Sequence, residues 1–256
     1  MKTALRTAVP ALPALAAAVL LTACQTTTAD SVKPHVSVVR PAGAAAAGPA
    51  PVVFFLQGTG GGNNRAWLWA STLADAGIAS AIIDGAGLRN RSNLAGVPAR
   101  DVAQDYAAAL RLLRDDPRVD VGRHAVMGFS SGGTAAMVAG TVREPDQPRP
   151  RAVIAFYPGV LGECSENHAA DTAVHVFYGD LDEWGTHGGT RDACRRAVEG
   201  KPGRVFHAVR NAHHGFDDSV TVTWSAGGYS FRSEPNPQAR AEVAQTLIPL
   251  LKAAFR

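Results

Sequence analysis

The chain has 256 residues, 46% hydrophobic and 18% charged, which is enough for one substantial core and short for two domains. Its formal net charge is +3; Lys2 and Arg6 supply two of those charges, so without residues 1–23 the balance is +1 and no run of like charge stands out. Such a chain offers no electrostatic reason to bind nucleic acid.

Residues 1–23 read as an export signal. Lys2 and Arg6 make a basic start, an Ala/Leu-rich segment runs to Leu21, and Leu21-Thr22-Ala23-Cys24 closes it. Pro10 and Pro13 interrupt an apolar stretch that is already short for a transmembrane helix. The closing tetrapeptide resembles the lipobox of bacterial lipoproteins, which implies that Cys24 is acylated and holds the protein at a membrane. Gln25 follows it where Asp would signal inner-membrane retention, which implies the outer membrane, facing the periplasm or the cell surface. Residues 24–35 are then a lipidated cysteine and a polar, flexible tether, and residues 36–256 form one domain. With Cys24 set aside, Cys164 and Cys194 remain, and two cysteines in an exported chain read as a disulfide. It would close a loop of residues 165–193, worth about 3–4 kcal/mol.

Residues 36–39 suit an edge strand and 41–51 a surface loop. The apolar run 51–56 reads as a buried central strand, and it enters the turn Gln57-Gly58-Thr59-Gly60-Gly61-Gly62-Asn63. Helical spacing covers 67–76, a buried strand 78–83, and a polar loop 85–98. Val102, Tyr106, Leu110 and Leu113 share one face of a helix over 101–114. A strand over 124–127 runs into Gly128-Phe129-Ser130-Ser131-Gly132 and a run of small residues suited to a helix. Strands are expected over 152–157, 173–178 and 204–209, and helices over 191–199 and 238–255. This alternation predicts an α/β fold with a mostly parallel sheet covered on both faces and no separate lid domain. The conformations of loops 85–99, 158–172 and 217–236 are left open.

The carboxyl ends of such strands converge on one edge, where α/β sheets bind ligands. That edge receives the glycine-rich turn, Ser130, the acids of Gly179-Asp180-Leu181-Asp182, and the histidines of Ala212-His213-His214-Gly215. G-x-S-x-G by itself is weak in a chain with 26 glycines. With a strand before it and a helix after it, it is the layout of a nucleophile elbow, and the order Ser, Asp, His is the one that layout uses. A serine hydroxyl needs a histidine to take its proton, and the histidine needs a carboxylate to fix its tautomer. The backbone N–H groups of Ser131 and Thr59 are the candidate oxyanion donors. The glycine-rich turn lacks the Lys-Ser/Thr of a phosphate loop, and His187, His213 and His214 lack a metal-ligand spacing. No cofactor or metal is expected. Asp180, Glu183 and Asp217 are alternatively solvated loop acids, and Trp67, Trp69 and Trp184 either core residues or pocket lining.

Over residues 50–255 the chain resembles the dienelactone hydrolase family of α/β hydrolases. The resemblance rests on Gln57-Gly58-Thr59, Asp84, Asp116-Pro117-Arg118-Val119-Asp120 leading to Gly128-Phe129-Ser130, Tyr157-Pro158-Gly159, Gly179 to Trp184, and His213-His214-Gly215-Phe216. It selects His214 over His213 as base and Asp182 over Asp180 as acid, giving Ser130, Asp182 and His214 as the catalytic set. It also supports the Cys164–Cys194 pairing. Dienelactone hydrolases proper carry a cysteine where Ser130 stands, so the resemblance implies a serine esterase of the wider family, acting on small-molecule esters; the oligomeric state is left open, with a monomer expected. Acyl transfer or peptide hydrolysis at the same residues, and a non-catalytic binding lipoprotein on this scaffold, are the alternatives.

Overall fold

The computed structural model describes residues 27–42, 48–62, 64–142, 146–159, 164 and 168–256. Seven strands, β1 (Val36–Val39), β2 (Ala50–Leu56), β3 (Ala79–Ile83), β4 (Val119–Phe129), β5 (Ala152–Phe156), β6 (Ala173–Gly179) and β7 (Arg204–Val209), pair in the order β1-β3-β2-β4-β5-β6-β7. Every pairing is parallel except that of β1 with β3. Each residue of β3 and β5 is buried. Successive side chains point to opposite faces, so both faces of the sheet are covered, which is why the central strands read as unbroken apolar runs. The helices α2 (Asn64–Asp75), α3 (Ala99–Leu113), α4 (Ser131–Ala139), α6 (Thr190–Val198) and α7 (Pro237–Ala254) supply that cover. The chain thus has the mostly parallel α/β architecture expected of it.

One expectation is corrected, and two loops whose conformations were left open acquire structure. The tether is shorter than residues 24–35, because Thr28 caps a short helix, α1 (Ala29–Val32), and Val32 is buried in the core. Thr27 donates its hydroxyl to Asp105 Oδ1 at 3.1 Å and accepts from Arg111 at its carbonyl, also at 3.1 Å, so the chain is docked on α3 from Thr27 onward. Cys24 and the signal segment lie outside the described residues. The polar loop 85–98 contains a 3-10 turn, Gly87–Arg89, fixed by the pairing of Arg89 with Asp105 at 2.6 Å.

Segment 217–236, the other loop left open, forms a hairpin of β8 (Val222–Ala226) and β9 (Tyr229–Ser233). Gly227 and Gly228 join the strands with φ of 59° and 82°, the double positive φ that a two-residue type I′ turn requires. The hairpin packs on α5 (Glu183–His187): Phe231 meets Trp184 edge-on at 4.5 Å, and Tyr229 stacks on His187 at 4.3 Å. Cys164 is bonded to Cys194 of α6, and both are buried.

Candidate active site

β4 ends at Phe129 and α4 begins at Ser131, which leaves Ser130 alone to turn the chain. Its φ of 55° and ψ of −122° are costly for a residue with a Cβ, and persist only where surrounding structure enforces them. Here three backbone hydrogen bonds do so: Ser130 N donates to Phe156 O at 3.0 Å, and its carbonyl accepts from Gly159 N at 2.9 Å and Thr134 N at 3.2 Å. The flanking glycines are steric requirements. A Cβ on Gly128 would stand 1.9 Å from Gly132 O, and one on Gly132 would stand 2.3 Å from Leu56 O.

Ser130 occupies the N-cap position of α4, yet its hydroxyl makes no capping bond. It lies 3.1 Å from His214 Nε2 instead, and His214 Nδ1 lies 3.0 Å from Asp182 Oδ2. The second oxygen of Asp182 accepts from Gly185 N at 2.9 Å, so the carboxylate both caps α5 and faces the imidazole. An acceptor at Nδ1 favours the tautomer that carries its proton there, leaving the Nε2 lone pair directed at the hydroxyl. His213 is turned away, 3.8 Å from Glu234. Asp180 accepts from Ala212 N at 3.4 Å and supports the histidine loop from outside.

Ser131 is the first residue of α4, so its N–H has no carbonyl one turn back to bond. Thr59 stands across from it, and its Oγ1 donates to Ser131 Oγ at 2.9 Å. The two candidate oxyanion donors are therefore neighbours next to Ser130.

Behind these residues lies a buried charged cluster. Asp217 is fully buried: it accepts from Trp69 Nε1 at 2.7 Å and from the Tyr157 hydroxyl, and pairs with Arg65 at 3.3 Å. Arg65 also bonds Asp218 at 2.5 Å. Burial disfavours the charge on Arg65, but the carboxylates of Asp217 and Asp218 outweigh it and hold the guanidinium protonated. Burial, with Asp217 adding to it, pushes the Tyr157 hydroxyl well above its usual range and keeps it a neutral donor. The Tyr157 ring packs against His214 at 4.5 Å, with its own φ at 34°. The cluster thus ties α2 and the residues after β5 to the loop that carries His214. The expectation of a solvated Asp217 is overturned, since three partners draw it inside. Trp69 is core and bound to that carboxylate, Trp67 is half exposed, and Trp184 belongs to the aromatic contact with the hairpin.

Residues 89–255 match the Dienelactone hydrolase family. The chain belongs to that family. No curated protein matches it. Among solved structures it is similar to a dienelactone hydrolase from Anabaena variabilis, at 19% identity and a TM-score of 0.61 over 86% of this chain and 92% of that one. It is also similar to a dienelactone hydrolase-like promiscuous phosphotriesterase from metagenomic libraries, at 22% identity and a TM-score of 0.58 over 87% of this chain and 100% of that one. A further likeness is to fungal esterases from Rhizomucor miehei, at 16% identity and a TM-score of 0.58 over 86% and 79%. At these identities the likeness is one of fold, and it supports the α/β-hydrolase architecture that family membership implies.

Sequence reasoning missed the roles of four residues at this family member's site. Asp217 and Asp218 follow His-Gly-Phe directly, and two adjacent acids there could have prompted a search for a buried cation. Arg65 lies in the first turn of α2 and gives no local signal. Trp224, whose ring lies 5.9 Å from His214, sits on a hairpin whose Gly227-Gly228 turn and alternating Val222, Trp224 and Tyr229, Phe231 were readable.

Proposed function

We propose that the chain is a serine carboxylesterase. The observation that carries this reading is the unbroken chain from Ser130 Oγ through His214 to Asp182, at 3.1 and 3.0 Å, with Ser130 held at a positive φ beside the Ser131 N–H that starts α4. In this reading His214 Nε2 takes the hydroxyl proton as Ser130 attacks the ester carbonyl, and Asp182 stabilises the imidazolium. The tetrahedral oxyanion sits between the N–H groups of Ser131 and Thr59. His214 returns the proton to the leaving alcohol, and a water activated by the same nitrogen then releases the acid from the acyl-enzyme.

The test is a fluorophosphonate probe and p-nitrophenyl acetate on the purified chain. Labelling at Ser130 and turnover are expected, and Ser130→Ala removes both while circular dichroism shows an unchanged fold. A folded wild-type protein that neither labels nor turns over any ester refutes the reading and leaves the non-catalytic alternative. Acyl transfer would show as ester products when a competing alcohol is added.

For the N-terminus we propose lipidation at Cys24, supported by the basic start, the apolar segment and the Leu21-Thr22-Ala23-Cys24 closure. Metabolic labelling with a fatty acid is expected to mark the wild type and not Cys24→Ala, and the variant is expected to leave the membrane fraction.

A further inference from the structure

A cavity of about 460 Å³ opens beside the candidate oxyanion donors and is walled by residues with no assigned role. Leu94 and Val97 from the loop ahead of α3, with Ala99 and Val102 from its first turn, form the far wall. Thr59 and Ser131 form the near one. None of the lining residues is charged, and the exposed surface of the cavity is mostly apolar. Its volume is in the range of small-molecule sites.

Which half of an ester enters it follows from the position of His214, on the reading of Ser130 and His214 given above. A carbonyl oxygen held by the Ser131 and Thr59 N–H groups places one of its two substituents at the mouth of the cavity, since both residues line it. The leaving oxygen must face His214 Nε2, the group that protonates it. Neither His214 nor Trp224 lines the cavity. Beyond His214 lies the hairpin, which meets it through Trp224, so the alcohol points to the hairpin side, away from this cavity. The acyl side is the one that faces the cavity.

We infer that this cavity is the acyl subsite and that it selects an uncharged, apolar acyl group of several carbons. A carboxylate at the far end of the acyl chain would lose its water with no cation in the lining to replace it.

The inference is tested on the full chain with p-nitrophenyl acetate, butyrate and heptanoate, and with the p-nitrophenyl monoester of adipate, which matches heptanoate in length but ends in a carboxylate. kcat/KM is expected to rise by about fourfold per added methylene until the cavity is filled. The adipate monoester is expected to be at least about tenfold poorer than heptanoate. Ala99→Phe and, independently, Val97→Phe narrow the cavity, and each is expected to lower the heptanoate-to-acetate ratio by about tenfold or more. Flat chain-length dependence in the wild type, or equal turnover of adipate and heptanoate esters, overturns the inference while the hydrolase reading stands. So does a change in methyl-against-butyl acetate selectivity in the wall variants with the acyl ratio unmoved, which would put the alcohol in the cavity. Absence of both turnover and fluorophosphonate labelling overturns the hydrolase reading and this inference with it.

Discussion

Asp182 shows how one carboxylate can hold two jobs, accepting from Gly185 N with one oxygen and from His214 with the other. Asn at this position keeps an acceptor for the cap, and asparagine is as good an N-cap as aspartate. It cannot hold the imidazole in the same tautomer. Asp182→Asn is therefore expected to lower kcat by about 10³–10⁴-fold with little change in melting temperature, measured on the same ester. His124 is a second residue whose charge state the fold decides. It lies fully buried near the start of the apolar part of β4, its Nδ1 2.6 Å from Val121 O and its Nε2 2.7 Å from the Tyr106 hydroxyl. Burial pushes its pKa down from 6.5 to about 4. The unfolded chain thus takes up a proton first as the pH falls. Its contribution to stability is complete above about pH 6.5, falls by on the order of 3 kcal/mol towards pH 4, and levels off below that; His175, which burial likewise lowers to about 4, adds a loss of the same sign. Urea midpoints at pH 7.5 and 4.5 are expected to differ accordingly, with a smaller difference in His124→Gln.

At the scale of elements, the elbow depends on how closely α4 starts to the end of β2. Gly132→Ala puts a methyl 2.3 Å from a carbonyl of the neighbouring strand, a backbone clash that no rotamer relieves. Loss of more than about 3 kcal/mol, or failure to fold, is expected from thermal melts, together with loss of ester turnover. This element was legible from sequence because its requirements are local: a strand, glycines at fixed offsets, and a helix of small residues. The sheet was legible for a related reason, since strands buried on both faces cannot avoid being apolar throughout. The conformation of segment 217–236 stayed open because its strands are largely exposed and carry Thr, Ser and Arg between the aromatics. The Arg65–Asp217 pairing spans 152 positions, and only the folded chain brings its two halves together. Likewise Thr27 looks like part of a polar tether until α3 supplies Asp105 and Arg111 to bind it.

At the scale of the molecule, the Cys164–Cys194 bond closes a loop that contains β6 and Asp182 but neither Ser130 nor His214. Reduction, or Cys194→Ser, is expected to lower unfolding free energy by about 3–4 kcal/mol in denaturant titrations. The sheet order brings Ser130, Asp182 and His214 to one edge, while the hairpin lies outside the sheet and meets that edge through Trp224 and through Ser233, which is bridged to His214. The four tryptophans are correspondingly unequal: Trp67 faces solvent, Trp69 is bonded inside, and Trp184 and Trp224 lie 5.5 Å apart. Trp224 is the one next to His214, its ring 5.9 Å from the imidazole. The protein therefore carries its own optical reporter. Its emission is expected to change when a fluorophosphonate occupies Ser130 and alters the surroundings of His214, and the difference between wild type and Trp224→Phe isolates that signal. Occupancy of the site can then be followed by light without turning over a substrate.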